Sequence, residues 1–334
     1  MNGRAIRVLL TLAVGALLVF GPAAPGSAQT ITLRGASQFD DSHPFNQDML
    51  KFEELVKKYY GKPVNFILHR TRELGLEKDY FAYMSQGISV DYAIVAPSHM
   101  ATFSKAATIM DMPFLFRDLD HWNKTLETGS ALAPIAAEVS QKADVMLIGY
   151  GGGGVRNIVA NKPVRNMAEL KGLNIRVMGA PIQTQMFQAI TAAPTVIAYD
   201  EVYNAIQTNV IQAGENEAVG WEQMKWHEVA PNISLTQHAI TIRPLCFSGK
   251  TFRKLPKDLQ DAIVKAGLEA GTYHRAVETK MDQETLDKLK NEGKIKVWVF
   301  TDRAKLLELA APVKASFAKE IGAEKILADI NAVK

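Results

Sequence analysis

The amino-acid sequence predicts an α/β protein with two domains. Short apolar runs alternate with amphipathic stretches along the chain, a pattern typical of strands and helices that follow one another. Of the 334 residues, 47% are hydrophobic, so the chain is able to bury a large core. About 300 residues remain once a leader segment is set aside, a length at which one core usually divides into two.

The first 28 residues have the pattern of a secretory signal peptide. Arg4 and Arg7 precede an uncharged run from Val8 to Phe20, and small residues follow at positions 26 and 28. The apolar run is shorter than the roughly 20 residues that a membrane-spanning helix needs. We therefore expect cleavage near Gln29 and a periplasmic protein, with an uncleaved anchor as the alternative.

Charge and cysteine content exclude several classes of function. Without the two leader arginines, 36 basic residues face 35 acidic ones, a net charge of +1. Such a balance gives no concentrated basic face for nucleic acid or an anionic membrane. The single cysteine, Cys246 in PLCFSG, cannot form an internal disulfide or a cysteine-rich metal site, and we expect it to be a buried, inert thiol. We expect no cofactor and no metal.

Apolar periodicity places the regular elements. Strands are predicted at residues 31–37, 64–69, 91–97, 145–151, 157–162, 173–178, 233–241 and 296–301. Helices are predicted between them, at residues 45–60, 77–87, 119–129, 130–143, 181–191 and 200–209.

One further helix is unusually long. From Pro256, a good first helical residue, to about Glu292 there is no other proline and no turn cluster, only Gly267 and Gly271. A continuous helix of that length would run roughly 50 Å, more than the width of an average domain. It either breaks near the glycines or lies across both domains as a shared strut.

The run IGYGGGGVR at 148–156 matches the dinucleotide-binding pattern G-x-G-x-x-G, with Glu169 twenty residues after Gly149. That pattern needs a helix to begin at its third glycine. Here VRNIVANKPV follows Gly154, and its β-branched residues predict a strand instead. We therefore interpret the run as two strands joined by a flexible glycine stretch, which serves as a hinge or allows a close approach to a ligand.

Two arginines in or near predicted strands are candidates for binding an anion. Arg156 follows the glycine run, and Arg176 lies between Ile175 and Val177 in LKGLNIRVMG. A charged residue in an apolar strand is expensive to bury unless it is paired. From these residues alone, Arg176 either holds a ligand or reaches solvent from a sheet edge.

Several segments resemble the solute-binding proteins of tripartite ATP-independent periplasmic (TRAP) transporters. The resemblance rests on AELKGLNIRV, DEVYNAIQTNVIQAGEN and TFRKLPKDLQDAI, with SHPFNQ and RELGLEK in agreement near the start. It implies a two-lobed periplasmic binding protein with mixed sheets and a long helix that spans both lobes, closing on its ligand like a flytrap.

The resemblance also implies a binding site for a carboxylate. Arg176 would grip the carboxylate, Arg156 and Asn216 would support it, and Tyr199 would pack over the ligand. A guanidinium suits this role because its planar fork donates two parallel hydrogen bonds to a carboxylate. The implied ligand is a small organic monocarboxylate, with a sugar acid such as a hexuronate as our first expectation and an aromatic or keto acid as the alternative.

Further candidates come from the acidic and histidine-containing segments. Glu77 stands at a family position that accepts hydrogen bonds from ligand hydroxyls, although a helix-terminal charge is equally consistent with it. Glu73 replaces a neutral amide of the family, a departure that leaves ligand identity open. His43 in SHP is either a ligand contact or a capping residue, and Glu215 adjoins Asn216 in GENEA.

The resemblance gives boundaries and partners as well. Residues 1–28 are the signal peptide, residues 29–153 plus about 242–281 form lobe I, and residues 154–241 plus about 282–334 form lobe II, with hinges near 150–156 and 240–244. We expect a monomer that delivers its ligand to the membrane permease subunits of a TRAP transporter, with a ligand sensor for a membrane kinase as the alternative. No catalytic motif is present, so an exported hydrolase is the weaker reading from another class, and we expect no enzyme.

Overall fold

The computed structural model describes residues 30–334, and the predicted signal peptide lies outside the described residues. Ile31–Lys334 form one compact unit. The chain alternates strands and helices from end to end, which confirms the predicted α/β class. Among the described residues, no helix is both long enough and apolar enough to cross a membrane.

The described residues contain nine strands in one mixed sheet. The strand order is β2-β1-β3-β8-β4-β7-β5-β6, and β9 pairs with β8 beside this path. The strands are β1 (Ile31–Ala36), β2 (Val64–His69), β3 (Tyr92–Ile94), β4 (Val145–Ala160), β5 (Asn174–Val177), β6 (Ala193–Val196), β7 (Ala213–Asn216), β8 (Asn232–Ser248) and β9 (Lys296–Val299).

Helices cover both faces of this sheet. Three short 3₁₀ helices occupy Pro97–Met100, Ala106–Asp111 and Tyr199–Glu201. The α-helices are α1 (Pro44–Tyr60), α2 (Glu77–Gln86), α3 (Leu119–Thr128), α4 (Ala133–Ala143), α5 (Met167–Leu170), α6 (Pro181–Ala189), α7 (Val202–Gln207), α8 (Ala218–Gln223), α9 (Trp226–Val229), α10 (Gly249–Phe252), α11 (Lys257–Asn291), α12 (Arg303–Glu320) and α13 (Glu324–Ala332).

The two long strands β4 and β8 join two wings of the sheet. One wing is formed by β2, β1 and β3, and the other by β7, β5 and β6. They pair antiparallel over most of their length, from Val145 opposite Ser248 to Ala160 opposite Asn232. The C-terminal end of β8 also pairs with β3, whereas the C-terminal end of β4 pairs with β7. The middle of these two strands therefore belongs to both wings.

The glycine run lies inside β4. Residues 145–160 form one strand, so the expected break between two strands at 145–151 and 157–162 is wrong. Between the pairs Gly152–Ile242 and Val155–Ile240, β4 has one residue more than β8, which makes a β-bulge. Gly152 and Gly153 have φ of +110° and +119°, a region that L side chains rarely adopt. The glycines therefore bend a continuous strand.

The glycine run also seats the long helix. α11 is continuous over 35 residues, so it does not break at its two glycines. A Cβ atom on Gly271 would lie 2.7 Å from the backbone nitrogen of Tyr150 and 2.9 Å from its oxygen. Gly267 faces the backbone oxygen of Ile148 in the same way. Helix and strand thus touch backbone to backbone at β4.

Apolar side chains fill both wings. The largest cluster includes Trp122, Phe187 and Phe317, and a second, around α1 and the first half of α11, includes Phe52 and Ile263. Helix α11 packs along α1, β4 and α8, which belong to different wings.

The lobe boundaries expected from the resemblance, residues 29–153 plus about 242–281 and residues 154–241 plus about 282–334, remain a prediction.

We predict that Gly271→Ala destabilises the protein, although alanine favours helix more than glycine does. The added methyl group would overlap the backbone of Tyr150, and overpacking of this kind lowers the free energy of unfolding by about 1–3 kcal/mol or more. Chemical denaturation measures the change. Thr272→Ala, on the exposed face of the same helix, is the matched control and should stay within about 0.5 kcal/mol of the parent. A Gly271→Ala protein as stable as the control would contradict the close packing.

Candidate functional site

A buried cavity lies where the two wings meet. Its volume is about 30 Å³, room for one or two water molecules. The lining residues are Gln38, Phe39, Phe45, Glu77, Ala96, His99, Arg156, Arg176, Met178, Tyr199, Asn216, Glu217 and Arg243.

A wider cavity of about 280 Å³ adjoins the first one, and Gln38, His99, Arg176 and Tyr199 line both. The exposed side chains of Lys78 and Val196 lie on its outer wall, so it forms the route from the inner cavity to solvent.

Contacts across the cleft hold its two sides together. The Gln223 amide donates to the Ser42 hydroxyl at 3.0 Å, and the Arg72 guanidinium lies 3.6 Å from the Asp200 carboxylate. In each pair one residue precedes β4 and the other follows it, so the pairs join the two wings. The small inner cavity and these contacts describe a closed cleft.

Three arginines line the inner cavity, and all three are at most 3% exposed. Arg156 comes from β4, Arg176 from β5 and Arg243 from β8. A guanidinium stays charged in proteins, so each buried arginine requires either a counter-charge or another compensating contact. The three side chains meet this requirement in different ways.

Arg156 is fully satisfied by the protein. Its Nε and Nη2 donate to the two carboxylate oxygens of Glu215, at 2.6 and 2.7 Å. Its Nη1 donates to Asn216 Oδ1 at 2.6 Å and to Glu217 Oε2 at 2.7 Å, and Nη2 also donates to the Glu215 carbonyl. All five N–H groups of this guanidinium therefore have acceptors among its neighbours.

A histidine supports this ion pair from the far side. His238 Nε2 lies 3.1 Å from Glu215 Oε2, and His238 Nδ1 lies 2.9 Å from the Thr236 hydroxyl. Although burial by itself raises the pKa of Glu215, the charge of Arg156 and the hydrogen bond from His238 lower it to about 2. Glu215 is thus a buried carboxylate anion that holds Arg156.

Arg176 has no such partner. Its Nε donates to the Ile197 carbonyl at 3.0 Å, and its guanidinium lies 5.6 Å from the centre of the Tyr199 ring. Among residues 30–334, no carboxylate lies within ion-pair distance of Arg176, and its two terminal nitrogens have no acceptor. Burial, together with the positive charge of Arg156, lowers the pKa of Arg176. Its terminal nitrogens are available to a ligand in the cavity that it lines.

Arg243 is intermediate between these two cases. Its Nη1 lies 3.4 Å from Asp111 Oδ1 and its Nη2 lies 3.7 Å from Glu217 Oε2, both long ion pairs. Its Nε is buried and has no acceptor among the described residues. The guanidinium also lies 5.8 Å from the centre of the Phe45 ring. Of the three buried arginines, only Arg176 lacks an ion pair within the part of the chain that the structure describes.

Asn216 and Tyr199 connect the arginines. The Asn216 amide accepts from Arg156 through Oδ1 and donates through Nδ2 to the Tyr199 hydroxyl at 3.0 Å. The Tyr199 ring packs against Trp226 and Phe39, with ring centres 5.3 and 5.9 Å apart. One N–H of the Asn216 amide remains for another acceptor.

The opposite wall is polar and carries fewer charges. Glu77 accepts from the Gln38 amide at 3.0 Å and from the backbone N–H of Ala96. Burial raises the pKa of Glu77 to about 7, an effect that the charge of Arg243 and the bond from Ala96 reduce. Burial lowers the pKa of His99 to about 3, which makes this ring neutral and able to donate or accept.

The structure brings five of the eight sequence candidates to the cavity, namely Arg156, Arg176, Tyr199, Asn216 and Glu77.

The other three candidates lie elsewhere. Glu73 is exposed and lies 2.7 Å from His69, outside both cavities. His43 caps α1, because its Nδ1 accepts from the Phe45 amide and its ring stacks on Phe39. Glu215 lies behind Arg156 rather than at the cavity. The capping alternative given for His43 matches its position.

Several residues that line the cavity were not predicted from the sequence. Arg243 lies in the apolar run ITIRPLCFS, the same signal that singled out Arg176, and should have been found by it. Gln38 and Glu217 carry no signal of this kind, because both precede helices in ordinary polar segments. Among residues 30–334, no group of three or more His, Cys, Asp and Glu side chains is arranged to hold a metal ion.

Comparison with known proteins identifies the family. The model of the bacterial extracellular solute-binding proteins, family 7 (DctP), matches residues 35–320. A solute-binding protein of Sulfitobacter sp. (strain NAS-14.1) is 50% identical over 309 residues, which cover 92% of this chain and 93% of that protein.

Solved structures share the whole fold. A TRAP periplasmic solute-binding protein from Sulfitobacter sp. NAS-14.1, with bound α-D-taluronate, is 50% identical with a TM-score of 0.88, and the match covers 90% of this chain and 97% of that one. Another from Roseobacter denitrificans, with bound β-D-glucuronate, is 25% identical with a TM-score of 0.84, over 91% of this chain and 100% of that one.

These matches confirm the resemblance stated from the sequence and the two-lobed binding-protein fold that it implied. The chain therefore belongs to the bacterial extracellular solute-binding proteins of family 7, the solute-binding components of TRAP transporters.

Proposed function

We propose that this protein captures a hexuronate, a sugar acid with a single carboxylate, in the cleft between its wings. The observation that carries the proposal is Arg176, a buried arginine with no ion pair whose terminal N–H groups are free beside the cavity. A bound carboxylate would supply the missing counter-charge.

The energetics of Arg176 favour a carboxylate ligand. A buried charge without a partner is strongly unfavourable, whereas a guanidinium and a carboxylate form two parallel, charge-assisted hydrogen bonds. Closure of the cleft excludes water and lowers the effective dielectric constant, which strengthens the ion pair between the guanidinium and the carboxylate. Arg156 takes a supporting role in this proposal, since its N–H groups already bind Glu215, Asn216 and Glu217.

The rest of the cavity supports a hydroxylated ligand with one carboxylate. Glu77, neutral His99 and Asn216 offer acceptors and donors that suit sugar hydroxyl groups. A second ligand carboxylate beside ionised Glu77 would be repelled. The taluronate and glucuronate bound by the two structural relatives are hexuronates and have this chemistry. Glu73 and His43 are left out of the proposed site.

Binding requires the cleft to open. The inner cavity, at about 30 Å³, is too small for a hexuronate, so the ligand enters only when the wings separate. The ligand then favours closure by the difference between its affinities for the closed and open forms. The middle of β4 and β8 is the natural hinge, because these are the only strands among residues 30–334 that run through both wings.

The place and partners of the protein follow from its family. We propose that the signal peptide is cleaved near Gln29 and that the mature protein acts as a monomer in the periplasm. There the closed, loaded form would dock on the membrane permease subunits of a TRAP transporter, which use an ion gradient for uptake. A ligand-binding protein of this kind catalyses no reaction of its own.

The ligand class is tested by a panel of acids. D-taluronate, D-glucuronate and D-galacturonate should raise the melting temperature of the purified mature protein and give one-to-one binding in calorimetry. D-glucose, which lacks the carboxylate, and succinate, which carries two, are the controls and should have much weaker effects. Stabilisation by succinate that exceeds that of every hexuronate would reject the proposal.

Arg176→Met should abolish hexuronate binding without harming the fold. Truncation of one partner of a buried ion pair weakens binding by roughly a hundredfold or more. In the free protein, however, loss of an unpaired buried charge leaves the free energy of unfolding unchanged or raises it by up to about 4 kcal/mol. Arg176→Lys should also bind poorly, because an ammonium lacks the planar fork.

Arg156→Met is the matched comparison for this variant. It leaves Glu215 buried without its arginine and Glu217 with only the longer ion pair to Arg243, so the free energy of unfolding should fall by about 3–5 kcal/mol. Calorimetry measures the dissociation constant of D-glucuronate for both variants, and urea denaturation measures their free energies of unfolding. If Arg176→Met binds like the parent, or destabilises the fold as much as Arg156→Met, Arg176 is not the ligand anchor.

Hexuronate affinity should increase as the pH rises through about 7. Glu77 has a pKa of about 7 in the protein because of burial, so it becomes a carboxylate over this range and accepts more strongly from ligand hydroxyls. Arg243, Asp111 and Glu217 are the charges that face it.

The pH dependence is measured as the dissociation constant of D-glucuronate between pH 5.5 and 8.5, for the parent and for Glu77→Gln. Other titrating groups are present in both proteins, so their contributions to the pH dependence cancel when the two profiles are subtracted. The profile of Glu77→Gln should be flatter, and parallel profiles would show that Glu77 does not contact the ligand.

A further inference from the structure

The long helix α11 carries two buried carboxylates behind the wall of the inner cavity. Glu278 and Asp282 lie one helical turn apart on the same face and are 2% and 8% exposed. Neither lines the inner cavity. Both accept hydrogen bonds from backbone N–H groups of other elements.

Asp282 joins two segments that carry cavity residues. Its Oδ2 accepts from the Val155 amide at 2.8 Å, in the bulged part of β4, and its Oδ1 accepts from the Ala218 amide at 2.5 Å, just after β7. The next residue after Val155 is Arg156, and the residue before Ala218 is Glu217. One carboxylate thus fixes the distance between the two segments that hold the Arg156–Glu217 ion pair.

Glu278 holds the bulge itself. Its Oε1 accepts from the Gly154 amide at 3.0 Å and from the Thr241 hydroxyl at 2.7 Å, and Thr241 Oγ1 also accepts from the Gly153 amide at 3.0 Å. Its Oε2 lies 2.9 Å from His274 Nε2.

The same histidine extends the contacts to helix α1. His274 Nδ1 lies 3.1 Å from Asp48 Oδ2. Although burial by itself lowers the pKa of His274, the nearby charge of Asp48 and the hydrogen bond to Glu278 raise it to about 9, which keeps the ring positively charged. This buried series of charges therefore reaches from α1, through α11, to β4.

We propose that Asp282 and Glu278 are positioning residues for the ligand site, which act through the backbone N–H groups of residues 153–155 and 218. They hold the bulge of β4 and the segment after β7 in the arrangement that the closed cavity needs. This inference rests on the proposed function, because the arrangement matters for binding only if the ligand occupies this cavity.

The chemistry of the contacts requires a carboxylate at position 282. Two N–H groups converge on one side chain, and a carboxylate supplies two acceptor oxygens, whereas an amide supplies one acceptor and two donors. Burial, together with the nearby charges of Glu217 and Glu278, raises the pKa of Asp282 to about 7, an effect that the two N–H bonds reduce. An apolar side chain here would leave both N–H groups buried and unpaired.

Asp282→Asn is the test, because it keeps the shape of the side chain and turns an NH₂ group toward one of the two N–H donors. The dissociation constant of D-glucuronate, measured by calorimetry well below the melting temperature, should rise about tenfold or more, with the number of sites per molecule unchanged. Amide hydrogen exchange in a peptide that covers residues 150–158 should become faster. Partial unfolding, in contrast, would lower the number of sites and leave the dissociation constant of the folded molecules unchanged.

Asp287→Asn is the matched control. It makes the same substitution on the same helix, at an exposed residue whose contact in the structure is with the neighbouring Gln283. Its affinity and its exchange at 150–158 should equal those of the parent. Parent-like affinity in Asp282→Asn, or an equal loss in Asp287→Asn, would overturn the inference.

Two further outcomes separate this inference from the proposed function. If the parent binds no hexuronate, the proposed function fails, and the exchange rates at 150–158 still decide whether Asp282 holds the bulge. If Asp282→Asn does not fold, Glu278→Gln replaces it. That variant should bind D-glucuronate more weakly and exchange faster at residues 153 and 154, and unchanged values would reject the inference.

Discussion

Helix α11 and strand β4 touch backbone to backbone, and this contact sets the geometry of the bulge and of the cavity beside it. Glycines on both elements, such as Gly271 on the helix and Gly149 on the strand, remove the side chains that would keep them apart. Only then do Glu278 and Asp282 come within hydrogen-bond distance of N–H groups in the bulge. The bulge in turn sets the position of Arg156, and through it the ion pairs at the cavity.

Charge is distributed unequally around the cavity. Glu215 and Glu217 neutralise Arg156, and Arg243 shares Glu217 and Asp111 at longer distances. Within the described part of the chain, Arg176 has aromatic and carbonyl contacts but no carboxylate partner. A buried charge without a counter-ion favours an anionic ligand, so in the proposed function the position of Arg176 sets where the ligand carboxylate lies. Arg156 and Arg243 already have carboxylate partners, so they compete less than Arg176 for a ligand carboxylate.

The sequence predicted the elements whose signal is local. The absence of proline and turn clusters after Pro256 predicted the long helix, and an arginine flanked by Ile175 and Val177 was the candidate that has no ion pair among the described residues. Whether the helix would break at its glycines was left open, because the reason lies in β4: each glycine of α11 fits against backbone from a strand more than 100 residues away.

The same limitation explains the errors at the site. Glycines in a strand weaken its periodic pattern, so a bulged but continuous strand was taken for two strands and a flexible joint. Glu73 and His43 make local contacts, with His69 and with the start of α1, but whether their segments reach the cavity depends on the tertiary fold. The partners of Arg156 come from β7 and the residue that follows it, about 60 residues further along the chain, and no sequence motif pairs Arg156 with Glu215 and Glu217.

In the proposed function, the unpaired arginine also couples stability to binding. A buried charge without a counter-ion lowers the free energy of unfolding of the free protein, and a ligand carboxylate bound at Arg176 would remove that penalty. Because the ligand binds the folded form, it stabilises that form by RT ln(1 + [L]/Kd), which is about 2.7 kcal/mol at a hundredfold excess over Kd. The closed, loaded protein is then the most stable species, and a membrane partner must supply contacts that favour the open form to release the ligand. If the protein supplied its own carboxylate to Arg176, the free protein would be more stable. A ligand carboxylate would then gain less from the closed form and would drive closure less strongly.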